Sequence, residues 1–138
     1  MKSIVIIDGQ GGRIGCMLIS GIKERLPMQE ITAVGSNTTA TTAMLKAGAD
    51  HGATGENPVI FNSSHADIIA GPIGLLAANS LYGEITPKMA LAIGESRAKK
   101  ILIPIGKCNL YVAGTVEMSF PDYISQAVDE IARIINEE

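Results

Sequence analysis

The chain has 138 residues and a mass of 14.4 kDa, which suits one domain, residues 1–138, built on one core. Hydrophobic residues at 46% against 18% charged exclude a disordered chain, and no apolar run approaches the ~18–20 residues of a membrane span. A net charge of −3 disfavours a grip on nucleic-acid phosphates, and Cys16 and Cys108, outside any CxxC pair, fit a reduced, cytoplasmic setting.

In chain order, Lys2–Asp8 is a β-branched run without polar alternation, the pattern of a strand buried on both faces. Gly9-Gln10-Gly11-Gly12 breaks it, and Ile14, Leu18, Ile22 and Leu26 then form a helical stripe stopped by Pro27. Glu30–Gly35 predicts a second strand. A helix follows, with Ser36, Asn37 and Thr38 as cap candidates and Gly48 just past its end. Pro58–Asn62 predicts a short edge strand, and Asp67–Gly71 a central one. Residues 73–82 predict a short helix closed by Gly83, and Thr86-Pro87 starts another that runs to about Arg97. Lys99–Ile105 is a further buried strand, with Leu110–Gly114 expected beside it. Pro121–Asn136 closes the chain as an amphipathic helix. Alternating strands and helices predict an α/β fold, a Rossmann-like three-layer α/β/α sandwich around a mostly parallel sheet of about five strands. The first strand then lies centrally, with a switch point beside it.

The most informative stretch is Asp8-Gly9-Gln10-Gly11-Gly12-Arg13-Ile14-Gly15, set between a strand and a helix. Its glycines at 9, 12 and 15 fit GxxGxxG, a dinucleotide-binding spacing, but not strict GxGxxG. Gly9 permits a tight turn, Gly11 or Gly12 lets backbone N–H groups approach an anion, and Gly15 allows helix–strand packing. The helix N-terminus and Arg13 add positive charge for a phosphate or pyrophosphate. A glycine-rich turn that merely packs tightly is the alternative. The P-loop lysine is absent, the receiver-domain aspartate position holds Gly71, and the serines and threonines of a flavodoxin loop are missing. At the end of the second strand, Ser36 and Asn37 offer neither a carboxylate for NAD nor an arginine for a 2′-phosphate, which leaves NADP at least as acceptable as NAD.

The carboxyl edge of the sheet also receives Gly71-Pro72 and Gly106-Lys107-Cys108-Asn109, with Asn79, Ser80, Glu84, Thr86 and Lys88 in reach. Asp8 suits a ribose hydroxyl or the capping of its own turn. Lys107 suits a phosphate, and Cys108 beside it a lowered thiol pKa. Cys16, near the helix N-terminus, is either a favoured thiolate or a small packed residue. Catalysis, if present, would draw on Asp8, Asn79, Glu84, Lys107 and Cys108. Cofactor contacts would come from Gly9, Gln10, Gly11, Gly12, Arg13, Ile14, Gly15, Ser36, Asn37, Gly71 and Pro72. His51 and His65 fall at the opposite edge, and no metal-ligand cluster is expected. Gly52–Asn57 predicts a long polar loop that covers a ligand or contacts a second subunit.

The phrases DGQGGRIG (8–15), AMLKAGA (43–49), GATGEN (52–57), GPIG (71–74), EITPKM (84–89) and IPIGKCN (103–109) together resemble a small bacterial family catalogued as a domain of unknown function. The resemblance covers essentially the whole chain. It implies a short Rossmann-like protein and brings no catalytic residues with it. The residues themselves point to a nucleotide-binding protein, with NAD(P) or a related phosphorylated cofactor in the Gly9–Gly15 loop and no metal. A non-catalytic metabolite sensor, or a structural protein that keeps the turn without a ligand, is the competing expectation. The high apolar content of so small a chain predicts a homo-oligomer, with the region from Ile73 to Arg97 as its contact.

Overall fold

Ile4–Asp8 (β1) is apolar almost throughout because both of its faces are covered. Ile4 and Ile6 pack into one cluster with Leu18, Ile19 and Ile22, while Val5 and Ile7 pack into another with Leu75, Met89 and Ile93. In this computed structural model, which describes residues 1–105 and 109–137, four further strands join it: β2 (Ile31–Gly35), β3 (His51–Thr54), β4 (Ile68–Pro72) and β5 (Lys99–Ile103). Their order is β3-β2-β1-β4-β5 and every pairing is parallel, with Ile4 opposite both Ile31 and Ile68. Parallel neighbours need crossovers, which the helices supply. The helices α1 (Arg13–Arg25), α2 (Thr38–Lys46) and α5 (Phe120–Asn136) pack on the face of Ile4 and Ile6, and α3 (Glu56–Ser63) and α4 (Pro87–Glu95) on the other. The result is a Rossmann-like three-layer α/β/α sandwich. Each fully buried isoleucine on the sheet contributes about 1.5–3 kcal/mol relative to an exposed one. No described helix is long and apolar enough to cross a membrane.

Four local expectations are corrected. Pro58–Asn62 is not an edge strand; it lies inside α3, where Pro58 occupies the first turn and its missing N–H costs nothing. Only Val59 and Ser63, one helical turn apart, are buried there. The edge strand is instead His51–Thr54. The predicted loop at Gly52–Asn57 is therefore the end of β3, the Gly55 cap and the start of α3. Within it, Glu56 accepts a hydrogen bond from the Thr86 hydroxyl (2.5 Å) and ties α3 to the N-terminus of α4.

Leu110–Gly114 forms no strand. A parallel neighbour of β5 needs a crossover of a dozen or more residues, and the connection from Ile103 to Leu110 is shorter. The segment is exposed, and just beyond it the Tyr123 hydroxyl donates to the Val116 carbonyl (2.9 Å).

Residues 73–82 are helical only over Ile73–Leu76, a single 3₁₀ turn. Beyond it, Asn79, Leu81 and Tyr82 take left-handed φ values of +67°, +54° and +56°, followed by Gly83 at +85°. Each such non-glycine residue costs roughly 1–2 kcal/mol. Ser80, buried beneath this turn, donates its hydroxyl to the Gly74 carbonyl. The contorted path delivers Glu84 to the carboxyl edge of the sheet.

Candidate functional site

The chain runs outward from β1 to β2 and β3, then returns to lay β4 and β5 on the other side of β1. The point of reversal, between the carboxyl ends of β1 and β4, is where open α/β sheets leave a crevice. A cleft of about 410 Å³ lies there, lined by the whole loop from Asp8 to Ile14 and by Pro72, Leu81, Tyr82, Ile105 and Phe120. A larger concavity of about 560 Å³ is an open groove between α1 and α5, away from any strand end, and its lining includes Cys16, Gly21 and Val128. The smaller cleft is the one at the strand ends, where open α/β sheets bind their ligands.

The loop owes its shape to two of its glycines and two carboxylates. Gly12 caps α1 with φ at +75°, a conformation that side chains rarely adopt, and a Cβ there would sit 3.1 Å from the backbone of Ala40. Gly9 leaves room for a close approach: a Cβ there would sit 2.5 Å from the Ser36 hydroxyl and 2.7 Å from Glu84 Oε1. Asp8, only 4% exposed, accepts the Gly9 N–H on Oδ1 (2.8 Å) and the Gly15 N–H on Oδ2 (2.7 Å). Asp8 thus caps its own turn and spends a first-turn donor of α1 on an internal acid. Burial pushes the Asp8 carboxyl above its ordinary range; backbone hydrogen bonds oppose this, and the charge of Glu84 adds to it.

Glu84 holds the other side of the loop. Its Oε1 accepts the Gln10 N–H (2.8 Å), the Ser36 hydroxyl (2.5 Å) and the Asn37 side-chain amide (2.8 Å). Burial pulls its carboxyl upward, but the hydrogen bonds from Ser36, Gln10 and Asn37 together carry it below the ordinary glutamate range. Asn37 also donates to the Gln10 carbonyl (2.9 Å) and caps α2 by accepting the Ala40 N–H (2.8 Å). Asn37 is thus both cap and site residue, two roles that its sequence context left open.

The absence of a carboxylate at the end of β2 is corrected: Glu84, from the β4–α4 connection, puts one beside Ser36 and Asn37. Sequence spacing gave no sign of this, because the segment that carries Glu84 is irregular. Phe120, Leu81, Tyr82 and Ile105 also line the cleft without having been singled out. Arg13 is exposed at its mouth, with the guanidinium carbon 4.4 Å from the Phe120 ring centroid.

Among the other candidates, Pro72 lines the cleft, whereas Gly71 is buried against the Ile7 carbonyl and does not. Asn79 is exposed, lies outside the cleft lining, and uses its backbone N–H to bond the Ile85 carbonyl (2.7 Å). Lys107 and Cys108 lie outside the described residues. Cys16 does not become a favoured thiolate: burial raises its pKa, and the Asp8 carboxylate raises it further. That carboxylate offsets the positive end of α1. His51 and His65 sit at the amino-terminal edge, at the start of β3 and just before β4. No metal-binding cluster of His, Cys, Asp and Glu occurs among the described residues.

No curated protein matches the chain. Among solved structures, it is similar to a dodecameric FMN-dependent Ubix-like decarboxylase from Escherichia coli O157:H7, at 14% identity and a TM-score of 0.46, over 96% of this chain and 94% of that one. The family model described as Domain of unknown function (DUF3842) matches residues 3–136, and the chain belongs to that family.

Proposed function

We propose that the chain is a single Rossmann-like domain that binds a nucleotide, an NAD(P)-type or related phosphorylated cofactor, through the Gly9–Gly15 loop. The observation that carries this reading is the cleft between the ends of β1 and β4, with the glycine loop forming one wall. Its apolar side, Ile105, Leu81 and Phe120, suits a flat ring, and Arg13 stands at the mouth where it meets a phosphate. The role proposed is binding rather than catalysis. Asp8 and Glu84 are both engaged in holding the loop, and Asn79 lies outside the lining.

A thermal-shift panel of NAD, NADP, FAD, S-adenosylmethionine and ATP tests it. A true ligand at a hundredfold excess over its Kd adds about 2.7 kcal/mol, a rise in Tm on the order of 10 °C. Arg13→Ala, at an exposed position, is expected to weaken the shift, and Gly12→Val to abolish it. No shift with any of the five sinks the proposal.

The second reading is a structural protein that keeps the turn without a ligand, and Asp8 favours it. A buried acid already accepts the N–H groups of Gly9 and Gly15, so part of the anion-binding capacity of the loop is satisfied from within.

A further inference from the structure

We infer that Glu84 is the ribose-reading residue of this site and selects nucleotides with a free 2′-hydroxyl over those with a 2′-phosphate. The inference rests on the nucleotide reading and names the ligand class of the same site. In dinucleotide-binding folds an acid at the end of the second strand, about 20 residues beyond the glycine loop, accepts the ribose hydroxyls. This chain has Ser36 and Asn37 at that place, and each instead donates a hydrogen bond to Glu84 Oε1, which arrives from the β4–α4 connection.

The carboxylate stands on the β2 side of Gln10, whereas the open cleft lies on the β4 and β5 side of the loop. A dinucleotide laid across the loop would therefore place one half in the cleft and the other over Glu84. Three donors converge on Oε1, and Oε2 makes no hydrogen bond among the described residues. Its lone pairs are left to accept a ribose O–H. The three donors also fix the carboxylate before any ligand arrives, so little side-chain entropy is lost on binding. A 2′-phosphate at the same point would set a second negative charge against the first, with no described arginine bonded nearby to separate them.

Isothermal titration of the 138-residue chain with NAD and with NADP tests this. The wild type is expected to bind NAD at least about tenfold more tightly, a difference of about 1.4 kcal/mol. Glu84→Gln retains an oxygen acceptor but removes the charge, and is expected to bring the NAD-to-NADP affinity ratio close to one, its fold checked by far-UV circular dichroism. Equal or tighter binding of NADP by the wild type overturns the assignment, and that measurement needs no variant. An unchanged ratio in folded Glu84→Gln overturns it as well. If the wild type binds neither dinucleotide, this inference falls, whereas the nucleotide reading falls only if FAD, S-adenosylmethionine and ATP fail to bind as well.

Discussion

Asp8 is held in place by two backbone N–H groups while burial and the neighbouring Glu84 both oppose its charge. Its folded-state pKa is raised above the unfolded value of 3.8, so the folded state binds more protons wherever Asp8 titrates. The contribution of Asp8 to stability is therefore greatest at low pH and falls as pH rises through the folded pKa. Asp8→Asn lacks this dependence. Urea denaturation from about pH 4 to about pH 7 should show the wild type losing ground to Asp8→Asn as pH rises, and a difference that moves the other way contradicts it. The same residue shows what the sequence made legible at the site. An acid at the end of a strand, followed by glycines, announces a turn that the acid can cap. The role of Glu84 is not legible in the same way, because its partners at 10, 36 and 37 lie far from it in sequence and a strained turn brings them together.

Caps show how the elements bear on the site. Ser119 accepts the Asp122 N–H at the start of α5, and Asn37 accepts the Ala40 N–H at the start of α2. A cap alone is worth about 1 kcal/mol. Asn37→Ala should cost more than Ser119→Ala in chemical denaturation, because it also removes donors to Glu84 and to the Gln10 carbonyl. Equal costs would mean that the link to Glu84 adds nothing to stability. Elements with a strong period were legible from sequence alone: β1 by its continuous apolar run, and α5 by Ile124, Val128 and Ile131 on one buried face. Those that failed carry little pattern. His51–Thr54 is an edge strand defined by backbone pairing to β2 rather than by buried side chains, and the apolar Val59-Ile60-Phe61 imitates a strand within α3.

Across the whole molecule, the most exposed large apolar residues lie where regular structure is absent. Tyr82 is 93% exposed and Tyr111 84%, and Leu110, Val112 and Val116 are exposed around the latter. We propose that such surface is covered by further copies of the chain, as its apolar content suggested. Sedimentation velocity at micromolar concentration should show an oligomer, and a monomer alone would remove this expectation. Tyr82→Ser and Tyr111→Ser should each shift the distribution toward smaller species if their surfaces take part.

The three donors that meet at Glu84 Oε1 also bear on the order in which the protein folds. Gln10 and Glu84 are 74 residues apart and Ser36 and Glu84 48 apart, so closing these contacts requires β1, β2 and β4 to be side by side already. Contacts of such sequence separation form late, after the loop entropy of the chain between them has been overcome. The loop geometry is then a product of the finished sheet, and an amino-terminal fragment that ends before β4 would carry every glycine of the motif without the shape they take here.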